Sequence, residues 1–238
     1  MQRDVIVACD FPSMNDTILF LDRFPEGEKP FVKIGMELFY SEGPDAVRAL
    51  KSRGHRIFLD LKLHDIPNTV RSAMRALSRL GVDMTNVHAA GGIKMMAAAK
   101  EGLQNGSGNS DSAHPVLLAV TQLTSTSRET MNKELGIPGE VENTCIHYAK
   151  NAKAAGLDGV VCSPLEAGKI HEAAGDSFLT VTPGIRFDSS CQDDQTRITT
   201  PEKARTLGSD FIVVGRPITQ SEDPLAAYRR CMKEFTAR

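Results

Sequence analysis

Eight short apolar runs rich in β-branched residues punctuate the chain, at 5–8, 31–34, 57–61, 85–88, 116–123, 159–162, 178–181 and 211–214. They are nearly continuous, with none of the polar alternation of a half-exposed strand. Such runs fit strands buried on both faces, as in parallel sheets. Their repeat of roughly 30 residues is the length of a strand plus a crossover helix.

The stretches between the runs carry helix punctuation. Pro44, Pro67, Pro164, Pro201 and Pro224 stand near expected helix starts, and Gly54, Gly81, Gly156, Gly175 and Gly208 near expected ends. Proline fits the first turn, where its missing N–H costs nothing, and glycine fits the reversal past the last turn. Within 41–53, Ala46, Val47 and Leu50 recur at helical spacing, as do Met74, Leu77 and Leu80 in the next unit. An open doubly wound sheet shares this alternation. Eight regular units without a GxGxxG after the first run favour a closed (β/α)8 barrel, a TIM barrel, as one domain over 1–238. The polar run 105–112 reads as a surface loop rather than a domain boundary.

Composition adds exclusions. The 238 residues are 41% hydrophobic and 24% charged, which is ordinary for a globular core. The net charge of −2 gives no electrostatic case for nucleic acid or an anionic membrane, so a small-molecule partner is expected. Cys9, Cys145, Cys162, Cys191 and Cys231 lack metal-ligand spacing and read as reduced thiols, and no metal site is expected. The apolar stretch 5–9 is too short for a signal-peptide core or a membrane span, so the expected compartment is the cytoplasm.

In such a barrel the chemistry gathers at the carboxyl ends of the strands. The polar residues there are Asp10, Lys33, Asp60, Lys62, Thr124, Gly184, Arg186, Gly215 and Arg216. On a strand, Asp60 and Lys62 share one face and point into the barrel, with Leu59, Leu61 and Leu63 toward the helices. A buried ion-pair cluster that only fixes register is the bland alternative, but the position at the end of an apolar barrel strand favours function. Thr182-Pro183-Gly184-Ile185-Arg186 and Val214-Gly215-Arg216-Pro217 place glycine amides and arginines where barrels often bind phosphate. Between them, 187–197 is long, polar and unpatterned, with Gln195 near its end, and suits a lid. His64 and His88 lack paired metal spacing, and Met95, Met96 and Met131 read as packing.

The run Asp60-Leu61-Lys62-Leu63-His64-Asp65-Ile66-Pro67-Asn68-Thr69 resembles the signature of the orotidine 5′-monophosphate decarboxylases. The similarity continues through Phe31-Val32-Lys33-Ile34-Gly35, Asn86-Val87-His88-Ala89, Val120-Thr121-Gln122-Leu123-Thr124-Ser125 and the two phosphate motifs; Cys9, where an aliphatic residue is expected, is a small departure. The resemblance implies cofactor-independent conversion of orotidine 5′-monophosphate to UMP, the last step of de novo pyrimidine synthesis. It implies Asp10 and Lys33 at the ribose hydroxyls, Thr124 and Gln195 at the pyrimidine, and Arg216, Gly215 and Arg186 at the phosphate. Lys62 is then the general acid of a Lys33-Asp60-Lys62-Asp65 array, with Asp60 against the departing carboxylate. Asp65, Ile66 and Thr69 then come from the other subunit of a homodimer with shared sites. A magnesium-dependent sugar-phosphate decarboxylase resembles the chain in Asp-x-Lys-x-x-Asp but carries an acidic residue where Lys33 stands. A Schiff-base aldolase is disfavoured because carboxylates beside Lys62 keep it charged. A phosphometabolite-binding barrel without activity is the alternative from another class.

Overall fold

A computed structural model describes residues 3–106, 114–188 and 197–237. The elements run β1 (Asp4–Ala8), α1 (Met14–Leu21), β2 (Phe31–Ile34), α2 (Met36–Glu42), α3 (Pro44–Ser52), β3 (Ile57–Leu63), α4 (Pro67–Ser78), β4 (Met84–His88), α5 (Gly92–Gly106) and β5 (Val116–Val120). They continue as α6 (Arg128–Lys133), α7 (Val141–Ala154), β6 (Gly159–Val161), α8 (Ala167–Ala174), β7 (Leu179–Thr182), α9 (Pro201–Thr206), β8 (Phe211–Val214), α10 (Arg216–Thr219) and α11 (Pro224–Thr236). The strands pair in sequence order, all parallel, and β8 closes on β1: this is a (β/α)8 barrel. Four of the expected proline starts open α3, α4, α9 and α11, while Pro164 opens a short 3-10 turn capped by Ser163.

Strand limits differ from the sequence reading by one residue in β1, β4 and β6, at both ends of β7, and by more in β3 and β5. β5 ends at Val120 rather than at 123, because the chain turns inward there, with Thr126 N–H bonding Leu123 O at 2.9 Å. β7 begins at Leu179, because Phe178 N–H closes a turn on Gly175 O at 3.0 Å. β3 runs on to Leu63, past a register shift against β4.

Strand parity divides the core in two. Val5, Val7, Val32, Ile34, Ile57, Leu59, Leu61, Ile212 and Val214 pack outward under the helices. Ile6, Ala8, Phe31, Phe58, Met84, Leu118, Val181, Phe211 and Val213 fill the barrel. Two residues further along β2, β3 and β4, the inward parity changes chemistry: Phe31 is followed by Lys33, Phe58 by Asp60, and Met84 by Asn86. Large apolar side chains thus plug the amino-terminal half of the barrel and form a dry floor beneath polar groups. Among the described residues, no helix is long and apolar enough to cross a membrane.

The amino-terminal end is stapled by a repeated device. Asp83, just before β4, accepts Ile57 N–H at 2.7 Å and the Lys51 ammonium at 2.8 Å. Asp158, just before β6, accepts Leu117 N–H at 2.8 Å and Lys100 at 2.7 Å. Asp210, just before β8, accepts Thr180 N–H at 2.8 Å, with His171 Nε2 3.3 Å away. Each aspartate also gives its own N–H to the carbonyl of the residue it caps, at 3.0–3.1 Å. The corresponding place before β2 holds Pro30, which has no N–H to give.

Candidate active site

At the carboxyl ends of the strands lies a cavity of about 630 Å3, within the range of small-molecule sites. Asp10, Lys33, Asp60, Lys62, Thr124, Arg186, Gly215 and Arg216, all expected at a site, line it together. Its apolar wall comes from Ala8, Phe58, Val161 and Val213, the upper edge of the barrel filling, together with Val120.

One side of the cavity is a line of alternating charge. Lys33 Nζ lies 2.8 Å from Asp10 Oδ1 and 3.5 Å from Asp60 Oδ2, and Lys62 Nζ lies 2.7 Å from Asp60 Oδ1. Burial opposes ionisation of Asp60, yet the ammonium groups of Lys33 and Lys62, with hydrogen bonds from Lys62 and Asn86, outweigh it and hold the carboxyl below its ordinary range. Burial likewise opposes charge on Lys33, and Asp60 and Asp10 together raise its pKa regardless. Asp60 and Lys33 therefore each favour the charged form before any ligand arrives. Burial, helped by His64 and Lys62, lowers the pKa of the nearby His88 against the pull of Asp60.

Gly35 makes the Asp10–Lys33 pair possible. A Cβ there would lie 2.6 Å from Asp10 Oδ1 and 3.1 Å from Lys33 Nζ, so any side chain would displace the pair. Asn86, fully buried on β4, donates from Nδ2 to Asp60 Oδ1 at 2.7 Å and accepts Lys62 N–H on Oδ1 at 2.8 Å. Neither residue was given a role from sequence; the inward parity of Asn86, two residues after Met84, was the available signal.

The opposite side carries the arginines. Arg186, in the loop that follows β7, is buried and donates from Nη1 to Ile185 O at 2.8 Å. Its backbone is pinned by Arg186 N–H to Thr199 O and Thr199 N–H to Gly184 O, both 2.9 Å. Arg197 pairs with the buried Glu166 and donates to Leu123 O at 2.9 Å, which holds the 122–125 turn against the cavity. This tether, too, had no sequence signal, since its partners lie 31 and 74 residues away.

The remaining expected residues stand apart. Asp65, Ile66 and Thr69 form part of an exposed stretch, with Asp65 Oδ1 accepting Ile66 N–H at 2.6 Å. Within one chain Asp65 forms no ion pair with Lys62. Gln195 and most of the expected lid lie outside the described residues, as does Cys191. The other four cysteines are free and buried, and burial pushes the Cys9 thiol up to about 12.

This arrangement has close relatives. Orotidine 5′-phosphate decarboxylases of Bacillus cereus (strain AH187) and Bacillus cytotoxicus are each 57% identical over 235 residues, covering 99% of this chain and 98% of theirs. The crystal structure of orotidine 5′-phosphate decarboxylase from Lactobacillus acidophilus superposes with a TM-score of 0.89 at 46% identity, covering 99% of this chain and all of that one. An uncharacterized conserved protein from Geobacillus kaustophilus superposes at 0.87 with 51% identity, covering 97% and 99%. The model of the orotidine 5′-phosphate decarboxylase / HUMPS family matches residues 3–231. With that match spanning almost the whole barrel and the charged line at its mouth, the chain belongs to the orotidine 5′-phosphate decarboxylase / HUMPS family.

Proposed function

We propose that the enzyme converts orotidine 5′-monophosphate to UMP and carbon dioxide with Lys62 as general acid, in a site completed by a second copy of the chain. The observation that carries this reading is the Lys62 ammonium, 2.7 Å from Asp60 inside a cavity that also holds Arg186 and Arg216. Phosphate fits the arginine side, ribose hydroxyls fit Asp10 and Lys33, and the pyrimidine fits beside Thr124, with Gln195 carried over as a pyrimidine contact from the family resemblance alone. The reacting carboxylate then faces Asp60. The bond from ring carbon six to the carboxylate breaks, its electron pair stays on the carbon, and Lys62 delivers a proton there. Solvent reprotonates the amine after UMP leaves.

A fixed ammonium at the site of developing negative charge stabilises the transition state without reorganisation. Binding of the remote phosphate supplies energy for holding the ring against Asp60. The dimer reading draws on the exposure of Asp65, Ile66 and Thr69, and on exposed apolar side chains after three consecutive strands: Met36 and Tyr40 after β2, Ile66 after β3 and Ile93 after β4. The cytoplasm is the compartment proposed for this step.

Loss of orotidylate absorbance on adding the protein tests the activity, and Lys62→Ala tests the acid. The variant is expected to fold and bind UMP but to turn over at least roughly a thousandfold more slowly; near-normal turnover removes Lys62 from the mechanism. Activity is expected to survive exhaustive chelation, and a requirement for magnesium would favour the sugar-phosphate reading instead.

A further inference from the structure

We infer that Asn86 is a positioning residue for the reaction, setting at once the backbone of Lys62 and the carboxylate of Asp60; the inference rests on the roles proposed for those two residues. β3 carries surplus chain opposite it. Leu59 pairs with Thr85 and Leu63 with Val87, so Asp60, Leu61 and Lys62 together face the single residue Asn86. Such a bulge re-aims the side chains it contains.

Lys62 absorbs the surplus with φ of 52°, the one non-glycine residue in the left-handed region among the described residues. That backbone is strained for a residue with a Cβ and persists only where surrounding structure imposes it. Asn86 imposes it by accepting Lys62 N–H at 2.8 Å, while its Nδ2 donates to Asp60 Oδ1 at 2.7 Å. The same Asp60 oxygen receives Lys62 Nζ at 2.7 Å, closing a ring of contacts through backbone, amide, carboxylate and ammonium.

Chemistry fixes the orientation of the amide. A backbone N–H needs an acceptor and a carboxylate needs a donor, so Oδ1 must face Lys62 and Nδ2 must face Asp60. Leucine would fill similar space with neither group, and an ionised aspartate would offer acceptors only. Complete burial keeps water from substituting for either contact. The charged and titratable groups around Asp60 are Lys33 from β2, Lys62 from β3, and Asp10, His64 and His88 at the rim. Asn86 is the neutral member of this cluster, and it adds a donor to Asp60 without altering the charge balance.

The test compares Asn86→Ala and Asn86→Asp with the parent enzyme by rate and pH. Asn86→Ala is expected to lower kcat about a hundredfold with KM within about threefold, because Lys62 loses its aim while the phosphate contacts remain. Asn86→Asp keeps the shape and gives a signature that a packing role cannot. While protonated, the introduced carboxyl copies the amide, accepting from Lys62 N–H and donating to Asp60. Burial and the Asp60 charge raise its pKa, and as pH climbs through that value the donor becomes a second anion against Asp60. Its kcat is therefore expected to fall with rising pH across a range where the parent is level. A folded Asn86→Asp enzyme with the parental pH profile overturns the inference, as does Asn86→Ala with kcat within about threefold of the parent. If Asn86→Ala fails to fold, the isosteric variant alone decides. An active Lys62→Ala enzyme would instead sink the reading beneath it, so the two failures are distinct.

Discussion

Lys33→Met removes the electrostatic support of Asp60 together with the proposed ribose contact, because methionine keeps most of the stem and deletes the charge; the shift of the acid limb separates the first effect from the second. At 3.5 Å, the Lys33–Asp60 attraction is about 5 kcal/mol for an effective dielectric constant near 20. Lys33 gives back its own desolvation cost when removed, and Asp10, whose side chain is 54% exposed, rehydrates readily. The penalty thus falls on Asp60, and removal of one partner from a buried pair costs about 3–5 kcal/mol. If about 3 kcal/mol of it reaches the transition state, kcat/KM falls by somewhat more than a hundredfold.

The pH dependence carries a definite sign. Ionised Asp60 contributes stability that is present above the ordinary aspartate pKa of about 3.9 and lost as pH falls through the lower folded value. Removing Lys33 raises that folded value, so both the acid limb of kcat/KM and the acid side of the melting profile move to higher pH. Initial rates followed by orotidylate absorbance, with thermal melts at the same pH values, read both. A folded variant with kcat/KM within about threefold of the parent and an unmoved acid limb would refute the electrostatic account of Asp60.

Three further outcomes are expected. Arg216→Ala should depress kcat/KM strongly for the nucleotide and hardly at all for orotidine, and equal losses would give Arg216 a structural role only. Asp158→Ala, which unstaples Leu117 N–H and Lys100 at the far end of the barrel, should cost about 2 kcal/mol and lower the melting temperature by about 5 °C, with KM unchanged; an unaltered melt would remove the staple from the stability of the fold. If the proposed shared-site dimer holds, Lys62→Ala and Asp65→Ala should each be inactive alone and their mixture should restore roughly a quarter of parental activity, since half of the random dimers are mixed and each has one intact site. Silence after demonstrated chain exchange would assign Asp65 to its own subunit.

The barrel was legible in the sequence because strands buried on both faces have no polar alternation to disguise them. The inward placement of Asp60 and Lys62 followed from period two alone, and the structure agrees, with Leu59 and Leu61 in the outer core. What parity could not supply was the bulge. Lys62 stands inside a register shift and in a left-handed conformation, and no local signal distinguishes that from a regular strand. Asn86 escaped notice for the same reason, since its role depends on surplus chain in the neighbouring strand. The three aspartate staples depend on contacts 26–41 residues apart in sequence, which spacing does not reveal.

The charge sequence gives the shared-site proposal a physical basis. Along one chain the order is Asp10, Lys33, Asp60, Lys62, which sums to zero. Lys33 has a carboxylate on each side. Lys62, at the end of the line, has Asp60 as its one ion-pair partner among the described residues. On the proposed reading, the partner subunit continues the alternation with a fifth charge and brings the array, without the arginines across the cavity, to −1. The substrate then adds its own carboxylate beside Asp60, on the side where negative charge is already dense. Loss of neutral carbon dioxide shifts that charge away from Asp60 to ring carbon six, where the electron pair faces Lys62 and is converted to a C–H bond by its proton. Water could not hold this pattern, because its dipoles would turn to solvate each carboxylate separately. The fold holds it beforehand, through the strand positions of Lys33 and Asp60 and the imposed backbone of Lys62. Rigid placement of the array is therefore as necessary to the proposed chemistry as the identity of its residues.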